Sequence, residues 1–107
     1  MNKTLLVALA ALVGFVTPAA ASRWPTEPPA RYDYEPRMRV AVIETSQAGV
    51  VESCLKMLAV FSFDGRVQGC GGVKNGICYL ILPKNDGSQW WQELRRHERA
   101  HCNGWRH

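Results

Sequence analysis

Hydrophobic positions change rhythm several times along this chain. Thr4 to Val16 is an apolar run without a single charge, closed by Thr17-Pro18. From Arg37, the apolar Met38, Val40 and Val42 alternate with Arg37, Arg39 and Ala41, the period of two that a half-buried strand requires. Between Glu44 and Leu58, the residues Val50, Val51, Cys54, Leu55 and Leu58 recur at helical spacing, with Glu52, Ser53 and Lys56 between them. This predicts a short helix capped by Thr45 or Ser46, weakened by Gly49 and followed directly by a strand from Leu58 to Phe63. Asp64-Gly65 and Asn75-Gly76 are hairpin turn signals on either side of Arg66 to Gly69. Ile77 to Leu82 is a compact apolar strand that Pro83 ends. Asp86 or Ser88 then caps a helix running to about Cys102, where Asn103-Gly104 supplies a left-handed stop.

The predicted fold is therefore α+β: a short helix, a small sheet with hairpin strands, and a long last helix. No internal repeat interrupts that order. Ahead of it, residues 22–36 carry Pro25, Pro28, Pro29 and Pro36 among Trp24, Tyr32 and Tyr34, a stretch that forms neither helix nor central strand. It is expected to be an extended arm, with the folded domain at 37–107.

Composition adds a compartment. Lys3 before the apolar run and Ala19-Ala20-Ala21 after it give the order of a secretory signal peptide, cleaved after Ala21. The run is too short to span a bilayer, which argues against stable membrane insertion. No cysteine follows it directly, which argues against a lipid anchor. Without Lys3, 12 basic residues stand against 9 acidic ones, a net charge of +3 that is too weak to indicate nucleic acid. Cys54, Cys70, Cys78 and Cys102 are an even set without a C-x-x-C pair, which favours two disulfides over a thiolate metal site. Three pairings remain open. A turn at Asn75-Gly76 disfavours Cys70 with Cys78, because it sets Cys78 opposite Val73.

The chemistry lies on the last helix. In His97-Glu98-Arg99-Ala100-His101, histidines four apart share a face one turn long, so both imidazoles reach one ion. Glu98 points to the side of that face, placed to accept a proton from metal-bound water rather than to ligate. Cys102-Asn103-Gly104-Trp105-Arg106-His107 completes H-E-x-x-H-x-x-G-x-x-H, in which Gly104 turns the chain so that a third histidine swings back. His97, His101 and His107 are the only histidines in the sequence. Trp90, Leu94, His97 and His101 extend the ligand face into an apolar stripe, and Trp90, Trp91 and Trp105 are expected to pack in the core or turn. Arg95, Arg96, Arg99 and Arg106 are expected to be a solvated face.

These eleven residues resemble the zinc-binding motif of the metzincin clan of metallopeptidases. The resemblance implies Zn2+ on His97, His101 and His107, with Glu98 as general base and acid in a minimal zincin-like domain acting on a peptide or protein. It also implies that Ile77 to Leu82 is an edge strand receiving substrate by strand addition, and that the first helix is a backing helix. Met38 and Met57 lie upstream, so neither matches the methionine-bearing turn that follows the third histidine in that clan. The expectation is an exported zinc metallopeptidase or related amide hydrolase. The alternatives are a non-catalytic zinc-binding envelope protein, or a disulfide-stapled binding module using the basic helix and aromatic arm.

Overall fold

A computed structural model describes residues 24–60 and 67–107. The predicted signal peptide, half of the strand predicted from Leu58 to Phe63 and the Asp64-Gly65 turn lie outside the described residues. The order is a single 3-10 turn at Ala30–Tyr32, then β1 (Val40–Thr45), α1 (Gln47–Leu58), β2 (Cys70–Lys74), β3 (Ile77–Pro83) and α2 (Gln89–Cys102). The protein is thus a small α+β unit of two helices, a three-stranded sheet and two disulfides.

The hairpin forms where the turn chemistry requires it. Asn75 and Gly76 both take positive φ, 53° and 76°, the combination a two-residue hairpin loop needs to match strand twist. The resulting antiparallel register pairs Val73 with Cys78 and Cys70 with Ile81. β1 adds parallel to the other side of β3, Val40 opposite Cys78 and Ile43 opposite Ile81. The strand order is therefore β1-β3-β2. Ile77 to Leu82 is the central strand and not an edge, because its apolar run is paired on both sides. It has no free backbone groups with which to accept a peptide.

Each face of the sheet is covered by one helix. Cys78, Leu80 and Leu82 point to one side and pack with Trp91, Leu94 and Cys102 of α2, joined by Met38 and Val40. Ile81 and Cys70 point to the other and pack with Val50 and Cys54 of α1, joined by Ile43, Met57 and Leu58. Burial on both faces explains why β3 reads as a continuous apolar run while β1, at the edge, alternates. Val42 falls beyond the cover of α2 and is 39% exposed, so the half-buried stripe expected through it ends at Val40. α1 covers the face of the sheet opposite α2.

The helix ends follow local chemistry. The Ser46 side chain accepts from Gly49 N, and Ser88 from Trp91 N, each satisfying an otherwise orphaned helical amide. A β-carbon on Gly49 would lie 2.2 Å from Thr45 Oγ1, so this glycine permits a close approach that any side chain would block. Ala59 takes φ 51° and ends α1, which prevents a strand from starting at Leu58. The disulfides are Cys54–Cys70, tying α1 to β2, and Cys78–Cys102, tying β3 to the last residue of α2. Both cross-links suit an oxidising, extracellular-type compartment. No helix among the described residues is long and apolar enough to cross a membrane.

Candidate metal centre

His97 and His101 project from the last two turns of α2, and Gly104 at φ 99° turns the chain back so that His107 meets them. The ligand-capable nitrogens of the three residues lie within 4.8 Å of one another. His97 Nε2 and His107 Nε2 are 3.2 Å apart. Nitrogens bonded to one tetrahedral zinc at about 2.0–2.1 Å stand roughly 3.3 Å apart, so this pair already has the spacing of two ligands on one ion.

The second nitrogen of two of these rings is fixed. His97 Nδ1 lies 2.8 Å from the carbonyl oxygen of Thr26, and His101 Nδ1 lies 2.7 Å from that of Trp105. A carbonyl only accepts, so each Nδ1 carries the proton and each Nε2 keeps its lone pair facing the centre. Burial holds both rings below the ordinary histidine value, and the mutual charge of the imidazoles adds to it, against the carbonyl bonds that favour protonation. Neutral, oriented imidazoles are the state a metal ligand needs, and an outer carbonyl on Nδ1 is the usual way to secure it. The donor set therefore fits a metal ion.

Trp105 forms a base under all three imidazoles. Its ring stacks on His101 at 5.1 Å and 11°, meets His97 edge-on at 4.8 Å, and lies 4.6 Å from His107. It is 9% exposed, as expected for turn packing. Trp91 is also buried, with its indole Nε1 donating to Pro83 O at 2.7 Å. Trp90, in contrast, is 37% exposed and rests 6.2 Å from Trp24, so the core stripe of α2 runs through Trp91, Leu94 and Glu98 instead.

Glu98 is 4% exposed and lies beside the histidine face, against Gly69 and Gly71. Its carboxylate comes to 3.6 Å from His101 Nε2. Loss of hydration on burial pushes its pKa up to about 8. Gly69 and Gly71 make this burial sterically feasible: a β-carbon on Gly69 would lie 3.3 Å from Glu98 Oε2, and one on Gly71 would overlap the Glu98 backbone.

Three arginines expected to be solvated are engaged by the arm. Arg96 pairs with Asp33 and with Glu27, and Arg99 pairs with Asp33 and with Glu35, which Arg95 also approaches. Asn103 Nδ2 donates to the carbonyls of Tyr32 and Tyr34 at 2.8 and 2.7 Å. The arm is thus packed along α2, with Pro25 and Pro28 buried and the Trp24 ring 5.7 Å from His97. The alternation of Glu27, Asp33 and Glu35 against a basic helix was a readable charge complement. The two orienting carbonyls belong to the backbone and leave no residue-type signal.

Comparison with family models, with curated proteins and with solved structures finds no match for this chain.

Proposed function

We propose that the chain is an exported zinc-dependent metallopeptidase, or a related amide hydrolase, of minimal zincin-like build, with zinc held by His97, His101 and His107. The observation that carries this reading is the convergence of three imidazoles, two with their second nitrogen tied to a carbonyl. All four cysteines are in disulfides, which leaves the imidazoles as the donors of the centre, and imidazole suits zinc. A zinc ion held by His97, His101 and His107 would supply Lewis-acid chemistry toward a carbonyl and toward water. Glu98 would be the residue that takes the proton on its carboxylate and returns it to the leaving amine. Burial pushes the Glu98 pKa up to about 8, and a cation beside it would act in the opposite direction. Peptide binding by strand addition falls to an edge strand, and β2 is the edge that lies against Glu98. Secretion or a periplasmic location agrees with the two disulfides and with the leader-like residues 1–21.

The test uses the oxidised protein lacking residues 1–21, assayed for zinc content and for cleavage of a peptide library. Glu98→Gln is expected to keep zinc and lose cleavage, while His101→Ala loses both. Absence of zinc uptake by the wild type overturns the reading.

One observation favours a second reading, a non-catalytic zinc-binding envelope protein. The Glu98 carboxylate is packed under Gly69 and Gly71 rather than presented to solvent. Full zinc occupancy with no cleavage of any peptide or cell-wall amide decides for it.

A further inference from the structure

The residues ahead of the sheet are held on α2 by a row of contacts that covers its whole second half. Reading along the arm, Thr26 O meets His97, Glu27 meets Arg96, Tyr32 O meets Asn103, Asp33 meets Arg96 and Arg99, Tyr34 O meets Asn103, and Glu35 meets Arg99 and Arg95. Asp33 is the most enclosed of the three acids. Its side chain is 18% exposed, against 75% for Glu27 and 60% for Glu35. Like Glu35 it meets two guanidinium groups, but it alone is held through a fork. Arg96 reaches it through both Nε and Nη2, a forked contact that fixes direction as well as distance.

The first contact in that row differs in kind from the others. Thr26 O is the acceptor that determines which nitrogen of His97 carries the proton. Thr26 is itself exposed, so no packing of its own side chain holds its carbonyl there. The arm on which it stands is seated through the buried Pro25 and Pro28 and anchored downstream through Asp33.

We propose that the arm is a working part of the three-histidine centre, with Asp33 as a positioning residue: through Arg96 and Arg99 it keeps Thr26 O on His97 Nδ1, and so sets the tautomer and orientation in which His97 offers Nε2 to a metal. The inference rests on the three histidines being a metal site. His101 is an internal control, since its acceptor, Trp105 O, lies four residues away on the same segment and not on the arm.

The test compares wild type, Asp33→Asn and Asp33→Glu in two measurements. The first is the affinity for Zn2+ by competition with a chelator. The second is an imidazole 15N–1H spectrum of the metal-free protein, which reports the tautomer of each histidine. Asp33→Asn is expected to weaken zinc binding about tenfold, the lower end of what loss of an outer partner costs. It should also release His97 from the Nδ1–H tautomer while leaving His101 in it. Asp33→Glu, which keeps the carboxylate, is expected to recover most of the affinity. The double variant Glu27→Gln/Glu35→Gln alters only exposed side chains, so it tests the same tether with no threat to folding, and a several-fold loss of affinity is expected. Zinc uptake by the wild type with unchanged affinity and an unchanged His97 tautomer in Asp33→Asn and in the double variant overturns this inference alone. Failure of the wild type to bind zinc overturns the metal-site reading and this inference with it.

Discussion

A β-carbon added to Gly71 would lie 2.1 Å from the carbonyl oxygen of Glu98, so β2 and α2 meet backbone to backbone at the residue proposed as the base. Gly71→Ala must push strand and helix apart, because the obstructing atoms belong to the main chain and have no rotamer to change. The expected cost is about 1–3 kcal/mol, the range for overpacking a fitted interior, read by urea denaturation. The same change is expected to hydrate the Glu98 carboxylate and lower its pKa, which carboxyl NMR measures directly.

Trp105 touches all three imidazoles and is nearly buried. Trp105→Ala is expected to destabilise the protein by about 3 kcal/mol, as truncation of a buried tryptophan does. It is also expected to weaken zinc binding, because all three rings lose the surface they rest on. Trp105→Phe keeps an aromatic face and the backbone carbonyl, and should fall between the two. Thermal melts with and without zinc separate the contributions: the zinc-induced rise in Tm shrinks in the alanine variant.

The ion pairs of the arm make stability depend on acid. Hydrogen bonds from Arg96, with its charge and that of Arg99, hold the Asp33 carboxyl below its ordinary value of 3.8, against the opposing effect of burial. A folded-state pKa below the unfolded one means that the unfolded chain binds this proton more readily. The stabilisation is therefore fully present above about pH 4 and is lost as pH falls through the folded-state value. Wild type is expected to exceed Asp33→Asn by about 2 kcal/mol at neutral pH, the scale of hydrogen bonds to a charged group. That difference should close toward pH 2, and urea unfolding measured at several pH values checks it. A difference that persists unchanged into strong acid contradicts the assignment.

Cys78–Cys102 links residues 24 apart and anchors the end of α2 next to the turn that returns His107. Replacing both cysteines by alanine is expected to cost about 3 kcal/mol, the chain-entropy scale for a loop of that length. Because the bridge also holds the helix end that carries His101, zinc affinity should fall with stability. The pair Cys54→Ala/Cys70→Ala, whose bridge lies on the opposite face of the sheet, is expected to lower stability comparably while sparing affinity.

Features governed by local chemistry were legible in the sequence. Asn75-Gly76 set the register that places Val73 opposite Cys78, Ser88 caps α2, and Gly104 turns the chain where the histidine spacing requires it. What escaped depends on distant partners. β3 is central only because β1 pairs with it in parallel across an intervening helix and strand, and no periodicity within Ile77 to Leu82 encodes that neighbour. The choice of Trp91 over Trp90 for the core, and the burial of Glu98, follow from the rotation of α2 against the sheet. That rotation is set by Gly71 and Leu94, which touch opposite partners at this interface. The arginines read as solvated because the acids that meet them lie sixty or more positions away.

The contrast between near and far has a consequence for how the protein assembles. His97, His101 and His107 belong to one continuous segment, and a helix followed by a turn brings them together with little loop to close. The carbonyl that orients His97 comes from Thr26, 71 positions away, and reaches it only after a much longer loop has closed. Loop closure therefore favours gathering the three histidines before the first of them is oriented. Docking of the arm, rather than formation of the helix that carries the histidines, is expected to be the slower event.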